Sequence, residues 1–208
     1  MTRRNSLGQA SAVFLDRDGT IIEDVGYIDR IDRIALMPWS VDAIRALNRA
    51  GLPVVVVTNQ SGVARRYFSE RFVEEAHQEL DRRLAAGGAH IDAYYYCPHH
   101  PDGTAPEYRR HCECRKPGRA LVDRAAQDLG LDPRRSFVVG DTWLDIGLAR
   151  ASGARGVLVR TGAGAIEEAR PKPDLSADAG VDNLAAAVSW ILLNRQLSPQ
   201  SAIRDPQC

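Results

Sequence analysis

The chain has 208 residues, of which 44% are hydrophobic, enough for one well-buried domain and too few for two full-sized ones. Its 27 Lys and Arg residues balance its 27 Asp and Glu residues, so the composition lacks the basic surplus typical of nucleic-acid binders. No run approaches the roughly 20 apolar residues that a membrane helix requires. The first ten residues contain two arginines and no apolar run. We therefore expect neither a nucleic-acid partner nor a membrane partner, and a cytoplasmic location without a secretory signal.

Short apolar runs alternate with helical patterns along the chain. The predicted strands are Ala12 to Leu15, Pro53 to Val57, Ala93 to Tyr96, Ser136 to Val139 and Gly156 to Val159. The predicted helices are Ser40 to Ala50, a helix capped by Ser69 that runs to Leu84, Gly118 to Leu129, Trp143 to Ala151 and Asp182 to Leu193. This alternation predicts an α/β fold with a mostly parallel, Rossmann-like sheet covered by helices on both faces. We expect one domain over residues 12–195, with flexible tails at residues 1–11 and 196–208.

Polar or metal-binding side chains follow four of the predicted strands. They are Asp16 and Asp18 after the first, Thr58 and Asn59 after the second, Cys97 and His99 after the third, and Asp141 after the fourth. Ligands of parallel α/β sheets bind beyond the carboxyl ends of the strands. The sequence therefore predicts one shared site at this edge of the sheet.

The residue types at this edge suit phosphoryl transfer. Of the two carboxylates Asp16 and Asp18, one can attack phosphorus while the other moves a proton. Lys116 can neutralise charge on the transferred group, and Asp141 can complete a magnesium site with Asp16. Each feature also has an ordinary alternative, namely an Asp-Gly turn at Gly19, a solvated basic pair or a helix cap. All the alternatives would have to hold at once, which favours the phosphoryl-transfer interpretation.

The segment Asp16-Arg17-Asp18-Gly19-Thr20, followed by Thr58, Lys116 and Asp141, resembles the motifs of the haloacid dehalogenase superfamily of phosphatases over residues 13–160. The resemblance implies that Asp16 forms an aspartyl-phosphate and that Asp18 is the general acid and base. It implies that Thr58 and Lys116 hold the phosphoryl oxygens. It also implies Mg²⁺ held by Asp16, the Asp18 main-chain carbonyl and Asp141. Asp145, one helical turn beyond Asp141, is expected to have at most a supporting role.

A 20-residue stretch from Pro98 to Pro117 shows no regular pattern and needs something to organise it. Three cysteines and a histidine around it can form a closed tetrahedral zinc site, and these are Cys97, His99, Cys112 and Cys114. The alternatives are a disulfide from Cys97, free thiols, or ligation by His100 or His111 instead of His99. Structural zinc would also hold in place the segment that carries Lys116.

Longer motifs narrow the resemblance. The segments Gly26-Tyr27, Thr58-Asn59-Gln60-Ser61-Gly62, Cys97-Pro98-His99-His100-Pro101 and Cys112-Glu113-Cys114-Arg115-Lys116-Pro117 are similar to those of the D-glycero-D-manno-heptose-1,7-bisphosphate 7-phosphatase family. That family acts in ADP- or GDP-heptose synthesis. The histidinol-phosphate phosphatase family is also similar, but its zinc loop is usually shorter, whereas twelve residues separate His99 from Cys112 here.

This resemblance implies a small phosphorylated sugar as substrate. The chain has no large cap insertion, and we therefore expect a monomer whose own loops shield the site. The implied substrate contacts are Asp24, Val25, Gly26, Tyr27, Thr58, Asn59, Gln60, Ser61, Arg115, Lys116 and Thr142, with Arg115 suited to a second phosphate. The family often has a lysine where this chain has Thr142, which can donate one hydrogen bond and carries no charge. Another small phosphate ester, a DNA 3′-phosphate, or a zinc-stabilised binding module without activity remain as alternatives.

Overall fold

The computed structural model describes residues 10–195, which form one parallel sheet of six strands in the order β3-β2-β1-β4-β5-β6. The strands are β1 (Val13–Leu15), β2 (Val54–Asn59), β3 (Ala93–Cys97), β4 (Phe137–Gly140), β5 (Arg155–Val159) and β6 (Ala179–Val181). The helices are α1 (Ser40–Arg49), α2 (Glu70–Ala86), α3 (Ala120–Leu129), α4 (Trp143–Ser152), α5 (Gly164–Glu168) and α6 (Leu184–Asn194). Short 3-10 turns lie at Ile31–Arg33 and Pro133–Arg135.

The predicted α/β architecture is confirmed, and every predicted strand and helix is present with ends shifted by at most two residues. Ser69 caps α2 as predicted, because its hydroxyl accepts a hydrogen bond from the Phe72 N–H at 3.2 Å. β6 and α5 are not predicted by any pattern in the sequence. Both are too short to show a period, and β6 is an edge strand without a buried apolar run.

Alternation along the central strands explains why helices cover both faces of the sheet. Val13 and Leu15 of β1 pack in a core with α1, α2 and α6, whereas Phe14 between them packs in a second core with α3 and α4. Successive side chains of a strand point to opposite faces, so a run that is apolar throughout needs a layer of helices on each side. β1 is accordingly buried along its whole length.

The strand register brings the predicted site residues together. Leu15 pairs with Val56 of β2 and with Val139 of β4. The backbone N–H of Asp16 continues this ladder by donating to the Val139 carbonyl at 2.9 Å. The residues that follow β1, β2 and β4 therefore emerge side by side at the carboxyl edge.

Within residues 10–195 all strands belong to the one sheet, and no separate cap domain covers its carboxyl edge. The predicted tails lie outside the described residues, apart from Ala10 and Ser11 of the first tail; Ala10 forms a bridge with Leu131. No helix in the described part of the chain has the length and apolarity needed to cross a membrane.

Candidate active site

The loop after β1 turns sharply and presents Asp16 at the centre of the site. The Arg17 carbonyl accepts hydrogen bonds from the N–H groups of Ile21 and Ile22 at 2.9 and 3.1 Å, which closes the turn. Gly19 adopts φ +76°, and a Cβ atom there would collide with the carboxylate of Asp141. The glycine is therefore needed both for the turn and for the close approach of Asp141.

Lys116 lies between two carboxylates and is only 3% exposed. Its ammonium is 2.8 Å from Asp16 Oδ1 and 2.6 Å from Asp145 Oδ1. Burial lowers the pKa of Lys116, but the charges of Asp145 and Asp16 outweigh burial and raise it above its ordinary value. The Asn59 side chain holds the lysine backbone in place, because its Oδ1 accepts from the Lys116 N–H at 3.0 Å. Lys116 is therefore a fixed, permanently charged group beside Asp16.

Three carboxylates meet around this lysine. Oxygens of Asp16, Asp141 and Asp145 lie within 4.8 Å of one another. Burial raises the pKa of Asp16 to about 6 in spite of Lys116, and burial together with the Asp16 charge raises that of Asp141 to about 7. Within residues 10–195, only the ammonium of Lys116 faces these three acids. The cluster suits a divalent cation, since hard oxygen ligands and excess negative charge are what Mg²⁺ requires.

Asp18 extends into a cavity of about 230 Å³ and is held by two donors. Gln60 donates from Nε2 to Asp18 Oδ2 at 2.9 Å, and from the same nitrogen to the Thr58 hydroxyl at 3.0 Å. The Arg17 guanidinium makes the other contact, a fork onto both Asp18 oxygens at 3.0 and 3.2 Å. Thr58 and Asp18, which were predicted separately, are thus joined through one amide.

The cavity beside Asp18 is lined by most of the implied substrate contacts. They include Asp24, Gly26, Tyr27, Asn59, Gln60 and Ser61. The Tyr27 hydroxyl lies 3.3 Å from the Ser61 hydroxyl across the opening. Val25 is 42% exposed and is not among the lining residues. The loop after β1 and the turn after β2 therefore line one cavity together, and Asp18 is among its lining residues.

Arg115 and Thr142 lie elsewhere around the site. Arg115 lines a larger open hollow of about 670 Å³ together with Lys116 and Leu144. Thr142 caps α4, and its hydroxyl donates to Asp145 Oδ2 at 2.6 Å. The structure therefore gives Thr142 a contact to the carboxylate that pairs with Lys116. A lysine, which the family named in the sequence analysis often has at this position, has no hydroxyl to cap the helix in this way.

The cysteine–histidine cluster converges as the spacing predicted. The Sγ atoms of Cys97, Cys112 and Cys114 lie 3.2 to 3.5 Å apart, and His99 Nδ1 lies 3.3 Å from Cys114 Sγ. A tetrahedral ion with Zn–S bonds of about 2.3 Å would set the sulfur atoms about 3.8 Å apart. The observed separations are slightly shorter than this value. The four residues still form a closed ligand set that is compatible with zinc. His99, not His100 or His111, completes the set.

Asp145 and Arg17 lie at the centre of the site, although Asp145 was expected to have at most a supporting role and no role was predicted for Arg17. Asp145 is fully buried, and its carboxylate contacts Lys116 directly rather than from the periphery. Its position in the first turn of the predicted helix, four residues after Asp141, was the available signal. Arg17 lies between the two aspartates of the motif, where a surface role was the default expectation for an arginine.

Comparison with known proteins agrees with this geometry. A family model described as HAD-hydrolase-like matches residues 113–187. D-glycero-beta-D-manno-heptose-1,7-bisphosphate 7-phosphatase of Escherichia coli strain K12 is 43% identical over 175 residues, which cover 84% of this chain and 90% of that protein. The enzyme of the same name from Haemophilus ducreyi is 42% identical over 173 residues, covering 82% of this chain and 94% of that protein.

Two solved structures share the fold. D,D-heptose 1,7-bisphosphate phosphatase from B. bronchiseptica, complexed with magnesium and phosphate, has a TM-score of 0.79 and 32% identity, and the match covers 88% of this chain and 99% of that one. The enzyme from Burkholderia thailandensis has a TM-score of 0.64 and 31% identity, with 88% and 98% coverage.

A parallel sheet with an Asp-x-Asp turn after its central strand, a buried lysine and a late aspartate defines a hydrolase of the haloacid dehalogenase superfamily. The similarity to relatives over more than four fifths of its length is more specific. The chain belongs to the D-glycero-beta-D-manno-heptose-1,7-bisphosphate 7-phosphatase family. Both resemblances drawn from the sequence are confirmed.

Proposed function

We propose that the chain is a magnesium-dependent phosphatase that removes the 7-phosphate of D-glycero-β-D-manno-heptose 1,7-bisphosphate. The observation that carries this proposal is the buried contact of Asp16 with Lys116, beside the carboxyl of Asp18 and next to a polar cavity. The names of the relatives at 42–43% identity support the choice of the sugar, of its β anomer and of the phosphate that is cleaved. A role in heptose biosynthesis in the cytoplasm, as a monomer, stays a prediction.

In the first proposed step, a carboxylate oxygen of Asp16 attacks the phosphorus of the 7-phosphate. The bond from phosphorus to the sugar oxygen breaks, and Asp18 gives its proton to that oxygen, which leaves as a hydroxyl. Lys116 and the Thr58 hydroxyl hold the phosphoryl oxygens during the transfer. The pairing with Asp145 keeps the Lys116 ammonium charged and directed at Asp16.

In the second step, the aspartyl-phosphate on Asp16 is hydrolysed. Asp18, now ionised, takes a proton from a water molecule whose oxygen attacks the phosphorus. The bond to Asp16 breaks, inorganic phosphate leaves, and both carboxyl groups return to their starting state. One carboxyl thus acts as acid and then as base, which requires it to stay in the same place through both steps.

Asp16, the Asp18 main-chain carbonyl and Asp141 are the proposed ligands of Mg²⁺, which supplies positive charge to the phosphoryl oxygens when bound. The acid cluster supports this assignment because burial raises the pKa of both Asp16 and Asp141, so that a cation is needed to favour their ionised forms. The Ala163 N–H orients Asp141 by donating to its Oδ2 at 2.8 Å. Glycines at positions 19 and 162 leave room for that carboxylate.

Two arginines beside the cysteine–histidine loop support a second phosphate on the substrate. Arg115 donates to the His99 carbonyl at 3.4 Å, and Arg65 lies 3.3 Å from the ring of His100. The Nε–H of Arg65 is buried without a partner among the described residues. Two guanidinium groups on neighbouring loops suit a phosphate dianion. We assign the 1-phosphate to Arg115, with Zn²⁺ at Cys97, His99, Cys112 and Cys114 to stabilise the loop that carries it.

Phosphate release from a substrate panel tests the proposal. With Mg²⁺ present, kcat/KM should be highest for the β anomer of the heptose bisphosphate, lower for the α anomer, and lower still for histidinol phosphate at equal concentration. The product should retain its 1-phosphate, as phosphorus NMR can establish. Preference for histidinol phosphate would overturn the assigned substrate, and failure on every phosphomonoester would favour a binding module.

A further inference from the structure

Arg17 is a buried arginine for which the proposed mechanism has no role. The residue is 5% exposed, and it lies between the turn after β1 and helix α2, beside Ile22, Ala76 and Leu80. Arginines are almost never buried unless they are paired, because removing a charge from water is costly. Its contacts should therefore show what the buried charge does.

The Arg17 guanidinium contacts Asp18 and Gln60, which both line the cavity. Its Nε and Nη2 fork onto the Asp18 carboxylate, with a closest approach of 2.9 Å. Nη2 also donates to Gln60 Oε1 at 2.9 Å. Because Gln60 Nε2 donates in turn to Asp18 Oδ2 at 2.9 Å, the three side chains form a closed ring. Rotation of the Asp18 carboxyl away from its observed position would break hydrogen bonds to both neighbours.

His77 of α2 contacts the other terminal nitrogen of the guanidinium, Nη1, which Gln60 does not contact. Its Nε2 is 3.5 Å from Arg17 Nη1, and its ring stacks on Tyr94 with centroids 4.4 Å apart. Burial and the Arg17 charge lower the pKa of His77 to about 3, so the imidazole is neutral near physiological pH. An arginine can only donate, and Nε2 must therefore be the unprotonated, accepting nitrogen. Tyr94 is held in place by donating to Asp81 at 2.6 Å.

We propose that Arg17 is a positioning residue that orients the Asp18 carboxyl toward the leaving oxygen, with Gln60 and His77 holding the guanidinium in place. This inference rests on the proposed function. The Asp18 side chain is 24% exposed at the edge of an open cavity, where a carboxyl without these contacts would turn freely. Proton transfer requires hydrogen-bond geometry to the leaving oxygen, so a freely rotating acid would slow it.

The alternative is that Arg17 only stabilises the fold. The two roles differ in how an Arg17 variant responds to the leaving group. An alkoxide needs a proton as it leaves, whereas p-nitrophenolate is a stable anion that leaves without one. A positioning role therefore predicts that the rate of the first step falls for the sugar phosphate and not for p-nitrophenyl phosphate. A purely structural role predicts the same fall in rate for both substrates.

The experiment compares Arg17→Lys, which keeps the charge and removes the fork, with the wild-type chain by rapid mixing. With heptose bisphosphate, the single-turnover rate should fall about 10²-fold and KM should change less than about 3-fold. With p-nitrophenyl phosphate, the rate of the nitrophenolate burst should stay within about 3-fold of the wild-type rate. The slower turnover after the burst should fall, because hydrolysis of the aspartyl-phosphate still needs Asp18 as the base. Arg71→Lys is the matched control, since Arg71 lies on α2 with its side chain 86% exposed.

His77→Phe is a second variant for the case in which Arg17→Lys folds poorly, because it keeps the arginine and the stack on Tyr94. It should show the same pattern with a smaller loss, about 10-fold. Equal losses of rate on both substrates, or wild-type rates in both variants, would overturn the inference.

If the wild-type chain turns over p-nitrophenyl phosphate but not the sugar bisphosphate, the proposed substrate is wrong. Arg17 is then judged by whether turnover after the burst slows.

Discussion

The ammonium of Lys116 lies 2.8 Å from the carboxylate of Asp16, and both side chains are almost completely removed from water. The two residues come from distant parts of the chain, one after the central strand and the other at the end of the zinc loop. Anything that moves the loop therefore changes the charge next to the nucleophile.

Replacing Lys116 with Met should abolish measurable turnover and destabilise the fold. The change leaves Asp16 and Asp145 buried without their cation, which costs about 3–5 kcal/mol when one partner of a buried pair is removed. Urea unfolding measures the cost. The control is Lys172→Met at the other lysine of the chain, which is exposed and should keep wild-type stability. A Lys116→Met protein as stable as the control would contradict the inference that the pair is electrostatically coupled.

Asp16→Asn should be inactive yet folded. An amide cannot attack phosphorus, and neutralising one acid of a crowded cluster should change the unfolding free energy by less than about 1 kcal/mol. The measurement is covalent labelling during turnover of ³²P-labelled substrate, quenched in acid. Label should appear on the wild-type chain and on Asp42→Asn, an exposed control, but not on Asp16→Asn. Label on another residue would remove Asp16 from the nucleophilic role.

Removing zinc should loosen the chain between Cys97 and Lys116 and reduce kcat. The ligand atoms of this cluster lie close together, and thiolates at such distances repel one another unless a cation or protons lie between them. The loop should therefore open when the metal leaves. Hydrogen exchange should rise in residues 97–116 after chelation and in Cys112→Ser. Cys208→Ser, at a cysteine outside the described residues, is the control. Unchanged exchange after metal loss would show that zinc does not organise this loop.

The stability of the fold should fall with acidity through His77. The folded chain holds this imidazole neutral, with its pKa lowered to about 3, whereas the unfolded chain takes up a proton near the ordinary value of 6.5. The unfolded state therefore binds more protons between these values, and stability is lost as the pH falls below about 6.5. From pH 7 to pH 5 the contribution of His77 is a loss on the order of 2 kcal/mol, whereas the raised pKa values of Asp16 and Asp141 act on stability in the opposite direction.

His77→Phe isolates this contribution, because phenylalanine keeps the stack on Tyr94 and cannot titrate. Urea unfolding at both pH values should show that the stability of the variant relative to the wild-type chain rises as the pH falls from 7 to 5. His90→Phe provides the comparison, since the side chain of His90 is 63% exposed. An equal pH dependence in His77→Phe and wild type would contradict the assignment of a buried neutral imidazole.

Local patterns predicted most of the fold. Apolar runs such as Val54 to Val57 and the helical period of α1 depend on neighbours within a few residues, so they can be read along the chain. The three-residue β6 and the short α5 could not be read in this way, because they exist through docking on β5 rather than through a pattern of their own. The placement of polar groups after strands predicted one shared site because parallel strands end at one edge.

The sequence by itself determined the α/β class, the order of the motifs, the family, and the residues that the family's chemistry would use. Only the tertiary structure decided which of these groups touch. It paired Lys116 with Asp145 as well as Asp16, chose His99 from three neighbouring histidines, and buried Arg17 against Asp18 and His77. Motifs are set by residue type and spacing, whereas contacts depend on how loops from separate strands pack, and burial then sets which charges must pair.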